Sequence, residues 1–478
     1  MKPIIFSSLL RAMLAGCAGM GDVDKGSRKG IYSAESFGAQ RQAAVRWPQD
    51  QWWERYEDPM LNQLIAQALQ HSPDLGMAQA RLAQAAALAD QVQAERGPQL
   101  DATGSVQRKR FAQEYDAGPP LAGSYGTTGV VSAQIHHNFD FWGGQRAAFQ
   151  AALGEAAARE AEVHEARLLL ASRLAEGWFE LARLVEAQGQ AEQALALREQ
   201  TVQIVEHRRQ AGLDTDVEYR QAQADVASSR RDISSLLEQA RLQRHALAAL
   251  AGLPVDALSD AAPILTTMRA DEAPLLVPAQ LVGRRPDIVA ARWRVEAASQ
   301  SAQAAKADFY PNISLRAFAG LARRGLSLGL GDWLIAGSRH YGVEPAISLP
   351  IFDAGRLRAR LKTRSAELDA AVESYNRALL NAVRDVADQL VSLDSLAPQQ
   401  QAQQETLDAR QAAFDLARRQ YERGLSNYLT VLNAQDALLQ ERRRSLDLKV
   451  RSAALGVELI RALGGGFDAT NDVAGEKE

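Results

Sequence analysis

The sequence predicts an α+β fold in which one pattern occurs twice along the chain: a helix, a β-hairpin, a long helix and a short helix. Apolar residues recur at helical spacing over the long stretches and alternate with polar residues over the short ones. The same landmarks also recur half a chain apart, because Gly424–Gln435 resembles Gly212–Gln223 and Pro286-Asp287 matches Pro73-Asp74. Repetition on this scale indicates an internal duplication.

The first repeat is predicted to span residues 58–255. It starts with a helix at Asp58-Pro59, since proline is favoured in the first helical turn. Its long helix has no clear stop over about 67 residues, which makes it roughly 100 Å long at 1.5 Å per residue. The predicted elements are a helix over 61–95, strands over about 99–107 and 128–142, a long helix over 145–212 and a return helix over 213–250.

The second repeat is predicted to span residues 256–465 in the same order. Pro345 lies inside its last predicted strand and argues against a regular ladder unless a bulge accommodates it. Pro398 is expected to kink or interrupt the long helix, because proline cannot donate a backbone hydrogen bond. The predicted elements are strands over about 311–321 and 340–352, a long helix from after Gly355 to Gly424 and a return helix over 425–463.

Two turns of the same design join each long helix to its return helix. Gly212 and Gly424 end the incoming helices, because glycine adopts positive φ without steric cost. Asp214 and Ser426 follow as the predicted N-caps of the outgoing helices. The two turns therefore define two helical hairpins.

The N-terminus is typical of an exported lipoprotein. Residues 1–16 are predicted to be a signal peptide, with an apolar segment at Ile4–Leu14. The sequence Leu-Ala-Gly-Cys, which ends at Cys17, predicts cleavage there and lipid attachment to the cysteine. The alternative is a chance buried cysteine near the terminus. Residues 17–57 are then a lipidated N-terminal tether, and residues 466–478 are a disordered tail.

Composition and motifs favour neither an enzyme nor a nucleic-acid-binding protein. The formal net charge of −4 gives no electrostatic basis for binding nucleic acid. Gly325–Gly329 matches a hydrolase pattern, but it lies in a glycine-rich loop rather than in a strand–turn–helix. His136 and His137 point to opposite faces of a strand and cannot hold one metal ion together. The sequence therefore predicts no catalytic residue, no metal site and no cofactor.

The predicted strands have one apolar and one polar face. The two strands of each repeat make four per chain, which cannot close a barrel alone, and open sheet edges are not tolerated in lipid. Two alternatives follow: several chains share one membrane barrel, or the strands form a small soluble sheet. Aromatic residues near the strand ends, such as Phe139, Trp142 and Tyr341, are typical of a membrane interface.

Several stretches resemble the TolC-like outer-membrane efflux proteins, and in particular their lipoprotein (NodT-type) branch. These stretches are Asp50–Trp53, Asp58–Leu61, Gly283–Ala291, Phe352–Arg356 and Gly424–Gln435. The resemblance covers about residues 45–465. It implies a homotrimer with an outer-membrane β-barrel of four strands per chain, continuous with a long periplasmic α-helical barrel. Loops 107–126 and 322–340 would then face outside.

The resemblance also implies a function. Such a protein is the passive exit duct of a tripartite (RND-type) efflux pump for drugs or other small molecules. Its implied partners are a periplasmic adaptor (membrane fusion) protein, an inner-membrane pump and outer-membrane lipid, and the chain would be lipid-anchored in the outer membrane and extend into the periplasm. Two alternatives stay open: a duct for type I protein secretion, and a periplasmic coiled-coil lipoprotein without a pore.

In this family the helical hairpins close the tube at its periplasmic tip through polar and ionic links. Relatives often carry carboxylates where this chain has Thr430 and Asn433, so a hydrogen-bonded or apolar constriction is expected here. The alternative is that Tyr428 and Asn433 only pack between helices. The candidate gate residues are Gly212, Asp214, Asp216, Gly424, Tyr428, Thr430 and Asn433.

Overall fold

The computed structural model describes residues 30–37, 49–112, 123–265, 284–324 and 336–467. These residues form seven α-helices and four β-strands in the predicted order. The strands are β1 (Gln99–Arg110), β2 (Tyr125–Phe139), β3 (Asn312–Arg324) and β4 (Arg339–Ser348). The helices are α1 (Pro59–His71), α2 (Pro73–Glu95), α3 (Gly144–Gln210), α4 (Asp216–Leu250), α5 (Pro286–Ala307), α6 (Arg356–Glu422) and α7 (Tyr428–Ala462).

The described residues divide into two compact units. The first contains those of Leu82–Ala158 and Arg292–Ser374, and it holds the sheet. The second contains those of Ile31–Arg81, Arg159–Ala291 and the chain from Tyr375, and it holds the turns after α3 and α6. Each unit therefore takes residues from both sequence repeats, and neither repeat is a compact unit by itself.

The first helical stretch is two helices, so the prediction of one helix over 61–95 is wrong. Ser72 has φ −64° and ψ 123°, an extended conformation between α1 and α2. The reason is Pro73, whose ring disfavours helical geometry in the residue before it. Asp58 caps α1, because its Oδ1 accepts hydrogen bonds from the backbone N–H groups of Met60 at 2.9 Å and Leu61 at 3.2 Å.

The long helices and return helices are confirmed. Helices α3 and α6 have 67 residues each, and α4 and α7 have 35 each. Of the two effects expected at Pro398, an interruption is wrong, because α6 continues through it, and a kink stays a prediction. A single proline removes one ladder hydrogen bond, and the bonds on either side maintain the helix. Asp140 begins α3 by accepting from the backbone N–H groups of Gln145 and Arg146 at 3.1 Å and 2.8 Å.

The strands form one antiparallel sheet in the order β1-β2-β3-β4. The β1–β2 hairpin is longer than predicted. Strand β1 continues to Arg110 and strand β2 begins at Tyr125, because these two residues still pair. Strand β4 ends at Ser348 rather than at residue 352. Its last residue pairs with Asn312, which directly follows Pro311, so β3 offers no partner further along. Strand β2 likewise ends at Phe139, because Asp140 already caps α3.

Pro345 lies in a regular ladder. It pairs with Leu315, and the register from Asn312 to Leu321 is continuous, without a bulge. Strand β4 is at the edge of the sheet formed by the described chain, and proline is tolerated in edge strands. The sequence-based objection to this strand is therefore wrong.

The core of the second unit surrounds Trp178, whose side chain is fully buried. Its indole Nε1 donates to Asp58 Oδ2 at 2.7 Å, so one carboxylate both caps α1 and satisfies the buried indole. The Tyr56 ring lies 4.9 Å from the Phe179 ring, edge to face. Burial raises the pKa of Tyr56 to about 12. These contacts attach the segment before α1 to helix α3.

Among the described residues, no helix combines the length and the apolar character needed to cross a membrane.

Replacing Trp178 by Phe tests the contact with Asp58. We expect the free energy of unfolding to fall by about 1.5–3 kcal/mol, because a hydrogen bond to a charged group is lost. The control is Trp293→Phe, since Trp293 is 41% exposed and should cost less than about 0.5 kcal/mol. Urea denaturation followed by circular dichroism measures both. Equal losses in the two variants would contradict the assigned role of the indole N–H.

Candidate functional site at the helical hairpin tips

The two turns after α3 and α6 have the same backbone geometry. Gly212 has φ 75° and Gly424 has φ 76°, so the predicted positive φ is confirmed at both. The backbone N–H of Leu213 donates to the Arg208 carbonyl at 2.8 Å, and that of Leu425 donates to the Gln420 carbonyl at 2.9 Å. This pattern satisfies the last carbonyls of an α-helix and requires a left-handed residue, which glycine adopts at low cost.

The predicted N-caps are each wrong by one residue. Thr215, not Asp214, caps α4, and Glu218 completes a capping box by accepting from the Thr215 backbone N–H at 2.9 Å. Asn427, not Ser426, caps α7, because its Oδ1 accepts from the Thr430 backbone N–H at 3.1 Å. A cap side chain must reach the second or third helical N–H, and only the residue next to the helix has this reach.

Because Asp214 does not cap α4, its carboxylate accepts hydrogen bonds from both hairpins. It receives two hydrogen bonds from Arg208, Nε to Oδ2 at 2.9 Å and Nη2 to Oδ1 at 3.1 Å. The Tyr421 hydroxyl, from the second hairpin, donates to Asp214 Oδ2 at 2.5 Å. The Asp214 side chain is only 7% exposed. We call Arg208, Asp214 and Tyr421 the tip triad.

Arg208 also contacts Tyr421 directly. Its Nη1 donates to the Tyr421 carbonyl at 3.3 Å, and its guanidinium carbon lies 4.6 Å from the centre of the tyrosine ring. A cation over an aromatic face is attractive, and planar guanidinium suits this arrangement. The triad therefore combines an ion pair, a hydrogen bond and a cation–π contact across the two hairpins.

The ionisation states of the triad favour the link. Burial raises the pKa of Asp214, but hydrogen bonds from Arg208 and Tyr421 outweigh it and hold the pKa below its ordinary 3.8. A depressed carboxyl pKa stabilises the fold at higher pH, and this contribution is lost only as the pH falls below about 3.8 towards the folded value. Burial and then Asp214 raise the pKa of Tyr421, so its hydroxyl remains a donor at neutral pH.

A second set of polar contacts joins the hairpins away from the turns. The Tyr428 hydroxyl donates to Asp225 Oδ2 at 3.0 Å, and the Tyr428 side chain is buried. Arg198 forms an ion pair with Asp436, Nη2 to Oδ1 at 2.8 Å. It also donates through Nη1 to Ser229 Oγ at 2.9 Å. Arg198 thus contacts both return helices.

Apolar packing surrounds these polar contacts. The buried cluster between the hairpins is Val205, Ala222, Phe414, Tyr421, Tyr428, Val431, Leu432 and Leu438. Excluding water strengthens the electrostatic contacts nearby. Tyr428 therefore both packs and donates a hydrogen bond within one chain, and its role in closing the tip stays a prediction.

The other candidate residues contribute less to the contacts within one chain. Asp216 is exposed and forms an ion pair with Arg209 of the same hairpin, Nη1 to Oδ1 at 2.7 Å. Thr430 is exposed, and its hydroxyl donates to Asn427 Oδ1 at 2.8 Å. Asn433 is exposed, and its side chain forms no hydrogen bond to the described part of the chain. Sequence reasoning placed Asp214 and Tyr428 at the tip but missed Arg198, Arg208, Asp225 and Tyr421.

Neither of the other sequence motifs forms a site in the described residues. The hydrolase-like Gly325–Gly329 lies outside them. No group of three or more His, Cys, Asp or Glu side chains among them is arranged to hold a metal ion. The candidate site consists of two helical hairpins whose ends are held together by polar contacts.

Comparison with known proteins identifies this class. The family model described as outer membrane efflux protein matches residues 64–253 and 277–465. The chain belongs to this family, whose members are channel proteins and not enzymes. The two matched stretches follow the duplication seen in the sequence.

Relatives and solved structures agree with this assignment. The chain is 32% identical over 479 residues to the multidrug resistance outer membrane protein MdtQ of Escherichia coli O157:H7, covering 97% of this chain and 98% of that protein. It is 32% identical to the pyoverdine export outer membrane protein OpmQ of Pseudomonas aeruginosa, covering 90% of each. The outer membrane protein VceC of Vibrio cholerae has a structure similar to this one, with a TM-score of 0.80 and 37% identity over 88% of this chain and 100% of that chain. The predicted resemblance and fold class are confirmed.

Removing single hydroxyl groups at the tip tests its role in a channel. We expect Tyr421→Phe and Tyr428→Phe to increase the open fraction in planar bilayers about tenfold or more. Each loses a hydrogen bond to a carboxylate, worth about 1.5–3 kcal/mol, while its ring still packs. Tyr219→Phe is the control, because the Tyr219 ring lies 4.8 Å from the Arg209 guanidinium but its hydroxyl donates no hydrogen bond within the described chain. An unchanged open fraction in both test variants would contradict a closing role for these bonds.

Proposed function

We propose that the chain is the outer-membrane exit duct of a tripartite efflux pump, and that three copies form the duct. The open edges of the four-stranded sheet support this assembly. One side of β1 and one side of β4 lack partners within the described chain, and lipid requires every backbone polar group to be bonded. Joining β4 of one copy to β1 of the next closes one barrel in the outer membrane. The helices then extend into the periplasm.

The observation that carries this proposal is the tip triad in a member of a channel family. Arg208, Asp214 and Tyr421 hold the two hairpins of one chain together at the turns. Opening by movement of one hairpin against the other must break the Tyr421–Asp214 hydrogen bond. The duct is passive, and an energised partner supplies the work. The names of MdtQ and OpmQ, which refer to multidrug resistance and pyoverdine export, support small molecules as cargo.

The same turns offer an apolar surface to a periplasmic adaptor. Leu213 and Leu425 are 65% and 75% exposed, and Val217 and Leu429 are 75% and 59% exposed. Leu425 and Leu429 occupy, in the second hairpin, positions equivalent to those of Leu213 and Val217 in the first, because the two turns have the same geometry. Exposed apolar side chains repeated at both tips favour contact with a protein partner. An inner-membrane pump would complete the assembly.

We further propose that the mature chain begins at Cys17 and is anchored there by lipid. Cys17 lies outside the described residues, and the proposal rests on its Leu-Ala-Gly-Cys sequence. Residues 1–16 are then the signal peptide and 17–57 the tether. Residues 58–255 and 256–465 are the two repeats.

Efflux in a bacterial host tests the function and the docking surface together. The host lacks its own outer-membrane efflux component and expresses this chain with an adaptor and a pump. We expect the wild-type chain to restore resistance, and Leu213→Ser with Leu425→Ser to abolish it, because the apolar contact to the adaptor is lost. Leu242→Ser is the matched control, since Leu242 is 57% exposed on the body of α4. The amount in the outer membrane and the conductance are measured for both variants, and values equal to those of the wild type show that the tip variant folds but does not dock. Resistance retained in the tip variant would rule out this surface.

Labelling with radioactive palmitate tests the anchor. We expect Cys17→Ser to abolish incorporation, because the sequence contains a single cysteine. The wild-type chain at matched expression is the control. Labelling that persists in the variant would refute attachment at this position.

A further inference from the structure

One face of the four-stranded sheet is apolar along most of its length, and its arginine side chains lie at one end only. The register of the sheet places every second residue of each strand on this face. Its exposed members include Leu100, Val106, Val131, Ile135, Val343 and Ile347. Under the proposed function this face meets the lipid, and the present inference rests on that assignment.

Four arginines lie at one end of the same face. Arg108 and Arg110 follow Val106 at intervals of two residues on β1, and Arg110 is the last residue of that strand. Arg323 is the penultimate residue of β3, and Arg339 is the first residue of β4. Each belongs to the apolar face by its pairing or by its spacing from a paired residue. We call these four residues the arginine rim.

No acidic residue of the four strands shares this face. Asp101 and Glu344 belong to the opposite face, because Asp101 alternates with Leu100 and Glu344 alternates with Val343. The other end of the apolar face carries Phe139 and Ile313, which pair with each other, and no charge. The strands enter and leave the helices at that uncharged end. The arginine rim is therefore at the end away from the helices, which the proposed function places at the outer surface of the membrane.

The spacing of the rim fits the depth of lipid headgroups. On β2 the residues of the face from Phe139 to Gly129 include no Asp, Glu, Lys or Arg, over about 34 Å of strand at 3.4 Å per residue. At a strand tilt of roughly 40° from the membrane normal, this length of strand spans about 26 Å along the normal, close to the height of the apolar band of a membrane barrel. Arg108 lies about 7 Å beyond Val106 along β1. Its guanidinium group therefore begins where the hydrocarbon ends.

Three of the arginines, Arg108, Arg323 and Arg339, also lie at one height despite their different positions along the strands. Arg339 pairs with Leu321, and Arg323 lies two residues further along β3. Gly129 pairs with both Arg323 and Val106, and Arg108 lies two residues beyond Val106. The rim thus rises by about 14 Å across three strand spacings of about 4.8 Å. A slope near 45° matches the tilt of membrane strands, so a level ring results when the sheet closes.

We propose that the arginine rim binds the phosphate groups of lipopolysaccharide, the phosphorylated glycolipid of the outer leaflet. Guanidinium groups present paired N–H donors that match phosphate oxygens, and basic side chains at a membrane surface attract anionic headgroups. Arg110 Nε donates to the Gly123 carbonyl at 3.1 Å, which positions its guanidinium at the end of the β1–β2 hairpin. Three copies of the chain surround the barrel with three such rims. The proposal gives the barrel a specific lipid contact in addition to its apolar band.

The test compares two pairs of substitutions in the full-length protein. Arg108→Gln with Arg339→Gln removes two charges from the rim. Lys109→Gln with Arg316→Gln removes two charges from the opposite face of the same sheet and is the matched control. The probes are fluorescent lipopolysaccharide, its dephosphorylated form, and inorganic phosphate as a competitor, all in detergent. Trimer formation and conductance are measured for every variant.

We expect the rim variant to bind lipopolysaccharide about 25-fold more weakly, at about fivefold for each arginine near a membrane surface. The control should bind like the wild type, and dephosphorylated glycolipid should bind the wild type as weakly as lipopolysaccharide binds the rim variant. Excess inorganic phosphate that fails to displace the lipid supports a headgroup rather than a free phosphate site. Equal affinity of the rim variant and the wild type, or equal loss in the control, overturns the proposal. Conductance of the wild type separates this failure from failure of the duct itself.

Discussion

The structure depends on where the chain satisfies its backbone hydrogen bonds. The helices do so internally, and the glycine turns at Gly212 and Gly424 satisfy the carbonyls at which α3 and α6 end. The sheet does so only between neighbouring strands, which leaves one side of β1 and one side of β4 without partners in the described chain. A membrane cannot supply those partners. In the proposed assembly, the need for other copies of the chain thus arises from the backbone and not from any particular side chain.

The tip triad adds a different constraint, because it is made of side chains and the proposed opening breaks one of its contacts. Asp214 is held by Arg208 of its own hairpin and by Tyr421 of the other. The ion pair within the hairpin keeps the carboxylate ionised and in place when Tyr421 leaves. Opening therefore does not expose an unpaired buried charge, which would cost several kcal/mol. Tyr421 contributes a neutral hydroxyl group to this contact, so separation of the hairpins in the proposed opening leaves no charged group without its partner.

Both faces of the sheet carry function in the proposed assembly, and they differ in charge. The apolar face holds four arginines at one end, whereas the opposite face carries Lys109, Arg316 and Arg324 together with Asp101 and Glu344. On the opposite face, Arg316 donates to Gln134 at 2.5 Å and thus has a partner across the strands. No acidic residue of the four strands shares the apolar face with its four arginines, and positive charge there is a poor match for hydrocarbon and a good match for phosphate. This contrast is why the lipid contact is inferred for one face only.

The sequence by itself determined the elements and their order, because periodicity, proline and glycine act on their nearest neighbours. It identified both long helices, both return helices, all four strands and the two glycine turns. Local errors occurred where one nearby residue outweighed the pattern. Pro73 divided the first helix, and Thr215 and Asn427 displaced the expected caps. Each of these differences has a short-range cause, which is a proline or a capping residue next to the end of a helix.

Tertiary structure alone decided which distant residues meet. Asp214 and Tyr421 are 207 residues apart, and no local pattern indicates that the carboxylate turns from its own helix to another hairpin. The arginine rim likewise exists only through the register, which brings Arg108, Arg323 and Arg339 from three strands to one end of one face. Periodicity assigns a residue to one face of the sheet, but hydrogen bonding between strands sets its position relative to the residues of the neighbouring strands. The elements were therefore predictable from the sequence, whereas the sites required the packing between them.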